Sequence, residues 1–249
     1  MLKHARGAFS LVELLLVIGI ISLLLTILVP IVSRAKELAK RAVCATNTTG
    51  IAKALAMYAA SNNAIYPYRA ITGDCTVAVG NTGNSLSNSA NLRLVYATGL
   101  CQKQTFICPS AQHFVDTLDI NAVDFASRNN ISYGYQVPYN SMTSVTGRGL
   151  AAPSMRLHAN VAILADMSPN MNADGSWNTG AAWGADTNSP NHKDEGENVV
   201  YADTHGQWVT DPRCGYPATG DPNFNDNIYS AAAGVMDVPS SDRDSVIAP

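Results

Sequence analysis

The distribution of apolar positions along the chain is lopsided. From Phe9 to Val32 almost every residue is apolar, interrupted only by small or hydroxylated residues, by Glu13 and by Pro30. A helix rises about 1.5 Å per residue and a hydrocarbon core is about 30 Å thick, so this run is long enough to cross a bilayer. Behind it, residues 33–61 keep helix-forming content, and Ile51, Leu55 and Tyr58 recur at helical spacing. That stripe predicts packing against the protein's own sheet. Asn47-Thr48-Thr49-Gly50 is a local weak point, because Gly and β-branched residues form helix poorly. The pattern therefore predicts one long helix ending near Asn62-Asn63, with Pro30 kinking it where a backbone donor is lost.

Past Tyr66-Pro67-Tyr68 the periodicity breaks up. Thr72–Asn91 is rich in Gly, Asn, Ser and Thr and reads as a surface excursion. Ser89–Leu100 predicts a short helix, and residues 105–110 a short buried stretch closed by Pro109. Residues 131–137 alternate as a strand, and His158–Met167 and Glu197–Val209 are the clearest strands, with Val, Ile or Tyr between turn residues. The tail from Pro212 onward reads as mostly irregular. The expected fold class is α+β: a long N-terminal helix on a small antiparallel sheet with long irregular loops.

Charge and cysteine content narrow the function. The 249-residue chain carries a net charge of −3, which points to neither a nucleic-acid binder nor an acidic tail. Arg34, Lys36, Lys40 and Arg41 follow the apolar run and read as headgroup contacts, whereas Lys3 and Arg6 before it favour a cytoplasmic N-terminus. A conventional signal peptide has an apolar core of about 7–15 residues and a small-x-small cleavage site, and the run from Phe9 fits neither feature. The five cysteines have wide spacings and no Cys-x-x-Cys, unlike zinc-ligand motifs. Outside the cytoplasm disulfides are allowed. Cys44 on the helix is expected to stay unpaired, leaving Cys75, Cys101, Cys108 and Cys214 for two bridges in any of three connectivities.

Glu13 is the costly residue of the apolar run. A carboxylate at the centre of a membrane helix costs roughly 2.5–3.5 kcal/mol on insertion scales and marks function. In its setting, Arg6-Gly7-Ala8-Phe9-Ser10-Leu11-Val12-Glu13-Leu14, it resembles the processing segment of type IV pilins and type II secretion pseudopilins. The resemblance implies cleavage by a prepilin peptidase before Phe9, methylation of the new amine, and a role for Glu13, fifth in the mature chain, in assembly. Counted from Phe9, Pro30 also falls where the family carries a proline. The family's residue before the cut is usually Gly. A cut after Ala8 keeps Glu13 and Pro30 in register, whereas the alternative cut after Gly7 moves both by one place. Expected segments are a leader at 1–8, a transmembrane segment at 9–32, the soluble helix half at 33–62 and an extracytoplasmic domain at 63–249.

A second resemblance lies toward the C-terminus. His192-Lys-Asp-Glu-Gly-Glu-Asn-Val-Val-Tyr-Ala-Asp203 is similar to the H-x9-DG segment of a large pseudopilin-like bacterial group, with one extra residue and Thr204 in place of Gly. Cys108-Pro109-Ser110, Ser132-Tyr133-Gly134-Tyr135 and Ala165-Asp166 are similar to other stretches of that group.

His192, Asp203 and His205 are the candidates for a metal or acid–base site, with Asp203 and His205 alternating onto one face of a strand. The plainer reading is a hydrogen bond between His192 and Asp203. Asn170-x-Asn172-x-Asp174-Gly175 echoes half of a calcium loop, but Ala181 stands where the bidentate Glu belongs, so calcium enters only through a loop of another type. No nucleophile elbow, zincin, Walker or Rossmann motif is present.

The expectation is a structural subunit and not an enzyme, without a resident cofactor. The resemblance implies a single-pass protein of the bacterial inner membrane with its N-terminus in the cytoplasm. Its partners would be the lipid bilayer, prepilin peptidase, other pilin or pseudopilin subunits and an inner-membrane assembly platform. The competing expectation is a membrane-anchored extracytoplasmic enzyme or metal-binding module that uses a pilin-type leader.

Overall fold

A computed structural model describes residues 10–68, 87–117, 119–136, 159–169, 187–216, 227–229 and 247–248. The chain divides into two compact units, Met1–Ala39 and Lys40–Pro249. Helix α1, Leu11–Ser61, runs unbroken from the first into the second, with Pro30 inside it. In the first unit the apolar side chains from Leu11 to Val32 are exposed, and this helix is long and apolar enough to cross a membrane. At its start Ser10 Oγ accepts from Val12 N at 3.3 Å and Glu13 Oε2 accepts from Ser10 N at 2.9 Å. This reciprocal pair is a capping box, so Glu13 satisfies an otherwise orphaned backbone donor of its own helix.

The second half of α1 behaves differently. Cys44, Ile51, Ala52, Leu55 and Ala59 are buried, and Tyr58, expected in the stripe, is half-buried. The weak point at residues 47–50 stays helical because it is tied down. Asn47 Nδ2 donates to the Ile107 carbonyl at 3.1 Å, and the Thr48 and Thr49 hydroxyls donate to carbonyls one turn back.

The stripe packs against a five-stranded antiparallel sheet of order β4-β3-β2-β1-β5, where β1 is Tyr133–Gln136, β2 Ala162–Asp166, β3 Glu197–Tyr201, β4 Gly206–Val209 and β5 Ile247–Ala248. Strand alternation sorts the side chains onto two faces. Leu164 and Val200 join the core under α1 with Ile51, Leu55, Phe106 and Phe125. Ala165, Val199 and Tyr201 join a smaller cluster with Ile228, Tyr229 and Ile247.

Three expectations need correction. Glu197–Val209 is two strands joined by a turn at residues 202–205, with Thr204 in the left-handed region at φ 70°. The described part of the tail is mostly irregular, as expected, and Ile247–Ala248 supplies the edge strand beside β1. The surface excursion ends earlier than expected. Ser87, Asn88, Ser89 and Asn91 are buried at the start of helix α2, Ser89–Ala97, where the Ser87 and Ser89 hydroxyls donate to Asp124 and Asn88 Nδ2 donates to the Tyr135 carbonyl. Arg41 is not among the headgroup contacts. Its guanidinium lies 4.3 Å from the centroid of the Trp208 ring and pairs with Glu195. Gly7, Ala8, Phe9, Cys75 and the Asn170–Gly175 segment lie outside the described residues.

Candidate functional site

One row of side chains crosses the sheet on the face that α1 covers. Tyr133 pairs with Asp166 and Asn198 pairs with Trp208, while Ala165–Val199 in the ladder places Asp166 beside Asn198. A short 3-10 turn, Pro190–His192, brings His192 over this row. The turn begins with Ser189 Oγ accepting from Asn191 N and carries Pro190 at a position where no backbone donor is needed. After it Lys193 and Asp194 both take φ near 60°, and Gly196 takes φ 151°. A Cβ on Gly196 would lie 2.3 Å from the Val209 carbonyl oxygen, so only glycine lets β3 start there.

The result is a compact polar cluster in an otherwise apolar layer. Cys44 from α1, Cys108 from the loop after the Lys103–Phe106 turn, Asp166 at the end of β2 and His192 are all fully buried. Their four ligand-capable atoms lie within 4.8 Å of one another. Cys44 Sγ donates to Asp166 Oδ1 at 3.1 Å and lies 3.3 Å from the Tyr133 hydroxyl. Cys108 Sγ lies 3.5 Å from His192 Nε2, which is 3.6 Å from Asp166 Oδ2.

Asp166 is held from both sides. Asn191 Nδ2 donates to Oδ1 at 3.0 Å, and Asn198 donates to Oδ2 from its backbone N at 2.7 Å and from Nδ2 at 3.1 Å. The ring of Trp208 meets His192 edge-on, with centroids 5.3 Å apart. Burial raises the Cys44 thiol well above its ordinary pKa, and Cys108 and Asp166 add to that. Cys108 moves the other way, to about 6. The Cys44 sulfur beside it favours its thiolate, burial opposes that, and the contact with His192 helps. Such a set of donors can share a proton, ligate a soft or borderline metal ion, or close a disulfide. Because all four groups are buried, none is presented to a substrate at the surface.

The sequence candidates separate here. His192 belongs to the buried cluster. Asp203 and His205 do not: they sit in the β3–β4 turn, roughly half exposed, with His205 Nδ1 2.5 Å from Asp203 Oδ1 and the imidazole stacked on Tyr201. Neither the three-residue site nor the His192–Asp203 hydrogen bond forms. Among the described residues Cys44, Cys101, Cys108 and Cys214 form no disulfide, and Cys75 lies outside them. Cys101 packs on the α1 side of the sheet and Cys214 on the other side, so the sheet separates them. Cys108 lies beside Cys44, the residue expected to stand alone.

Asp166 and Cys44 were not read as site residues from the sequence. The only signal at Asp166 was the Ala165-Asp166 similarity, and nothing in helical periodicity singles out a cysteine on an apolar stripe. Comparison with family models, curated proteins and solved structures finds no match to the chain.

Proposed function

We propose that the chain is a pilin-like structural subunit, processed by prepilin peptidase and assembled through its N-terminal helix into a type II secretion pseudopilus or a type IV pilus-like filament. In this reading the subunit waits in the bacterial inner membrane, N-terminus in the cytoplasm, and is taken up by an assembly platform. Its work is assembly and not catalysis.

The observation that carries the proposal is the two-part character of α1. One continuous helix is apolar and exposed from Leu11 to Val32, and from Cys44 to Ala59 it contributes a stripe to the core of a folded domain. An exposed apolar helix of that length needs lipid or other helices around it. Assembled neighbours would supply the latter.

Glu13 gains a physical role on each side of that transition. In the single chain its carboxylate caps α1 through the Ser10 backbone N–H. In a filament a methylated Phe9 amine of a neighbouring subunit could replace that donor with a cation, which a low-dielectric surrounding favours.

The test is mass spectrometry of the mature N-terminus together with filament assembly by Glu13→Ala. A methylated chain beginning at Phe9, and a variant that inserts in the membrane but stays out of filaments, are expected. A mature chain that begins at Met1 would remove the processing step. Unchanged assembly of Glu13→Ala would remove Glu13 from the mechanism.

A further inference from the structure

We propose that Cys44, Cys108, Asp166 and His192 form a structural zinc site that staples the soluble half of α1 to the sheet. This inference does not depend on the filament reading, because every ligand lies within the second unit of the chain.

Geometry is the first argument. Zinc bonds of about 2.3 Å to sulfur and about 2.0–2.2 Å to nitrogen or oxygen set tetrahedral ligand atoms roughly 3.3–3.8 Å apart. Cys108 Sγ to His192 Nε2 is 3.5 Å and His192 Nε2 to Asp166 Oδ2 is 3.6 Å, both inside that range. Cys44 Sγ to Asp166 Oδ1, at 3.1 Å, lies a few tenths of an ångström below it. The two edges that meet at His192 Nε2 therefore already have tetrahedral length, and ligand atoms from all four segments lie within 4.8 Å of one another.

The donor set is the second argument. Two sulfurs, one imidazole and one carboxylate suit zinc, and thiolates exclude calcium and magnesium as preferred occupants. Four protein ligands leave no open position, which is the pattern of a structural site and not a catalytic one.

The surroundings are the third. A zinc ion with two thiolates and a carboxylate carries a net negative charge, which needs donors around it. Asn191 Nδ2, Asn198 N and Nδ2 and the Tyr133 hydroxyl supply them: three N–H groups point at the Asp166 oxygens, and the hydroxyl lies beside Cys44 Sγ. Such outer donors orient the ligands and disperse their charge. Zinc binding displaces any proton still held by the two sulfurs, so affinity falls at low pH.

The staple has a mechanical consequence. The ligands are drawn from residues 44, 108, 166 and 192, and one ion at their meeting point closes three long loops at once. It also occupies the two thiols, which in an oxidising compartment would otherwise be available to each other.

The experiment uses the full chain, extracted in detergent and purified without chelator. Metal analysis should find zinc equimolar with protein. After removal of zinc under reducing conditions, added cobalt(II) should give thiolate-to-cobalt charge-transfer absorption and the visible bands of a tetrahedral ion. The Cys44→Ser/Cys108→Ser variant should lose the charge-transfer absorption, and Cys101→Ser should keep it. A reduced, folded wild-type chain that takes up neither zinc nor cobalt would overturn the proposal. So would peptide mapping that finds Cys44 linked to Cys108 in the protein as isolated. Both readouts on the wild-type chain remain decisive if a ligand variant fails to fold.

Discussion

Among its described residues the domain contains two His–Asp pairs, and the closer one is worth less. His205 Nδ1 lies 2.5 Å from Asp203 Oδ1 in a turn where both side chains are roughly half exposed. His192 Nε2 lies 3.6 Å from Asp166 Oδ2 with neither group in contact with solvent. Water screens the first pair and competes for both of its partners, so an exposed pair of this kind adds little to stability. The second pair has given up its water. Its oxygens are held by Asn191 and Asn198, its imidazole abuts Cys108 and Trp208, and losing one member strands the others. Distance alone would rank the two pairs the wrong way round.

The largest test of that contrast is Asp166→Ala. It removes the acceptor of the Asn198 backbone and side-chain N–H groups and one of the two acceptors of Asn191 Nδ2, and about 3–5 kcal/mol of folding stability should be lost, as for a broken buried pair. Denaturant unfolding of the detergent-solubilised chain, followed by circular dichroism, measures it. A loss no larger than that of Asp203→Ala would break the comparison.

Next comes Gly196→Ala, which probes the turn that carries His192 into β3. With φ at 151° and the Val209 carbonyl 2.3 Å from the new Cβ, the substitution should cost roughly 2–3 kcal/mol and disturb the His192–Trp208 contact. Thermal unfolding reads the cost, and Trp fluorescence reads the contact.

Glu197 sharpens the comparison because it is a buried acid without such a set of donors. Its Oε2 accepts from Ser189 N at 3.2 Å and its Oε1 has no hydrogen-bond partner among the described residues. Burial raises its pKa from 4.5 to about 8, opposed by the Ser189 bond and reinforced by the charges of Asp166 and Asp211. The folded chain thus keeps a proton that the unfolded chain releases. Stability contributed by neutral Glu197 is complete below pH 4.5 and declines as pH rises through about 8. Glu197→Gln should flatten that decline, so that its advantage over the parent chain grows between pH 5 and pH 8 by roughly one to a few kcal/mol. Melting curves at a series of pH values give the answer, and parallel curves for the two proteins would refute it.

The smallest effect belongs to the exposed pair. Asp203→Ala should change stability by no more than about 0.5 kcal/mol, and added salt should erase even that. A larger loss would mean that the β3–β4 turn depends on Asp203 Oδ1, which also accepts from the His205 backbone N–H at 3.0 Å.

Much of the α1 reading was legible because periodicity and hydropathy are local. The extent of the apolar run, the helix end near Ser61 and the burial of Ile51 and Leu55 all follow from side chains that repeat along one element. The capping box was also written locally, as Ser10 followed three residues later by Glu13, although Glu13 was read for its charge alone. Strand existence was legible near β1 and β2, but the turn inside Glu197–Val209 was not. Asp203-Thr204-His205 carries neither Gly nor Pro, and the left-handed Thr204 is unusual for a β-branched residue.

The buried cluster is another matter. His192, Cys108 and Asp166 each lay in or beside stretches singled out for their similarity, yet no spacing rule links residues 44, 108, 166 and 192. Local chemistry by itself determined a membrane-length helix with a costly carboxylate near its start, and an α+β domain behind it. Only tertiary structure decided which histidine met which aspartate, and that Cys44 and Cys108 would be neighbours. Strand register, the left-handed turn before Gly196 and the face of α1 that meets the sheet are set by long-range packing, and a proximity created by packing leaves no periodic trace in the chain.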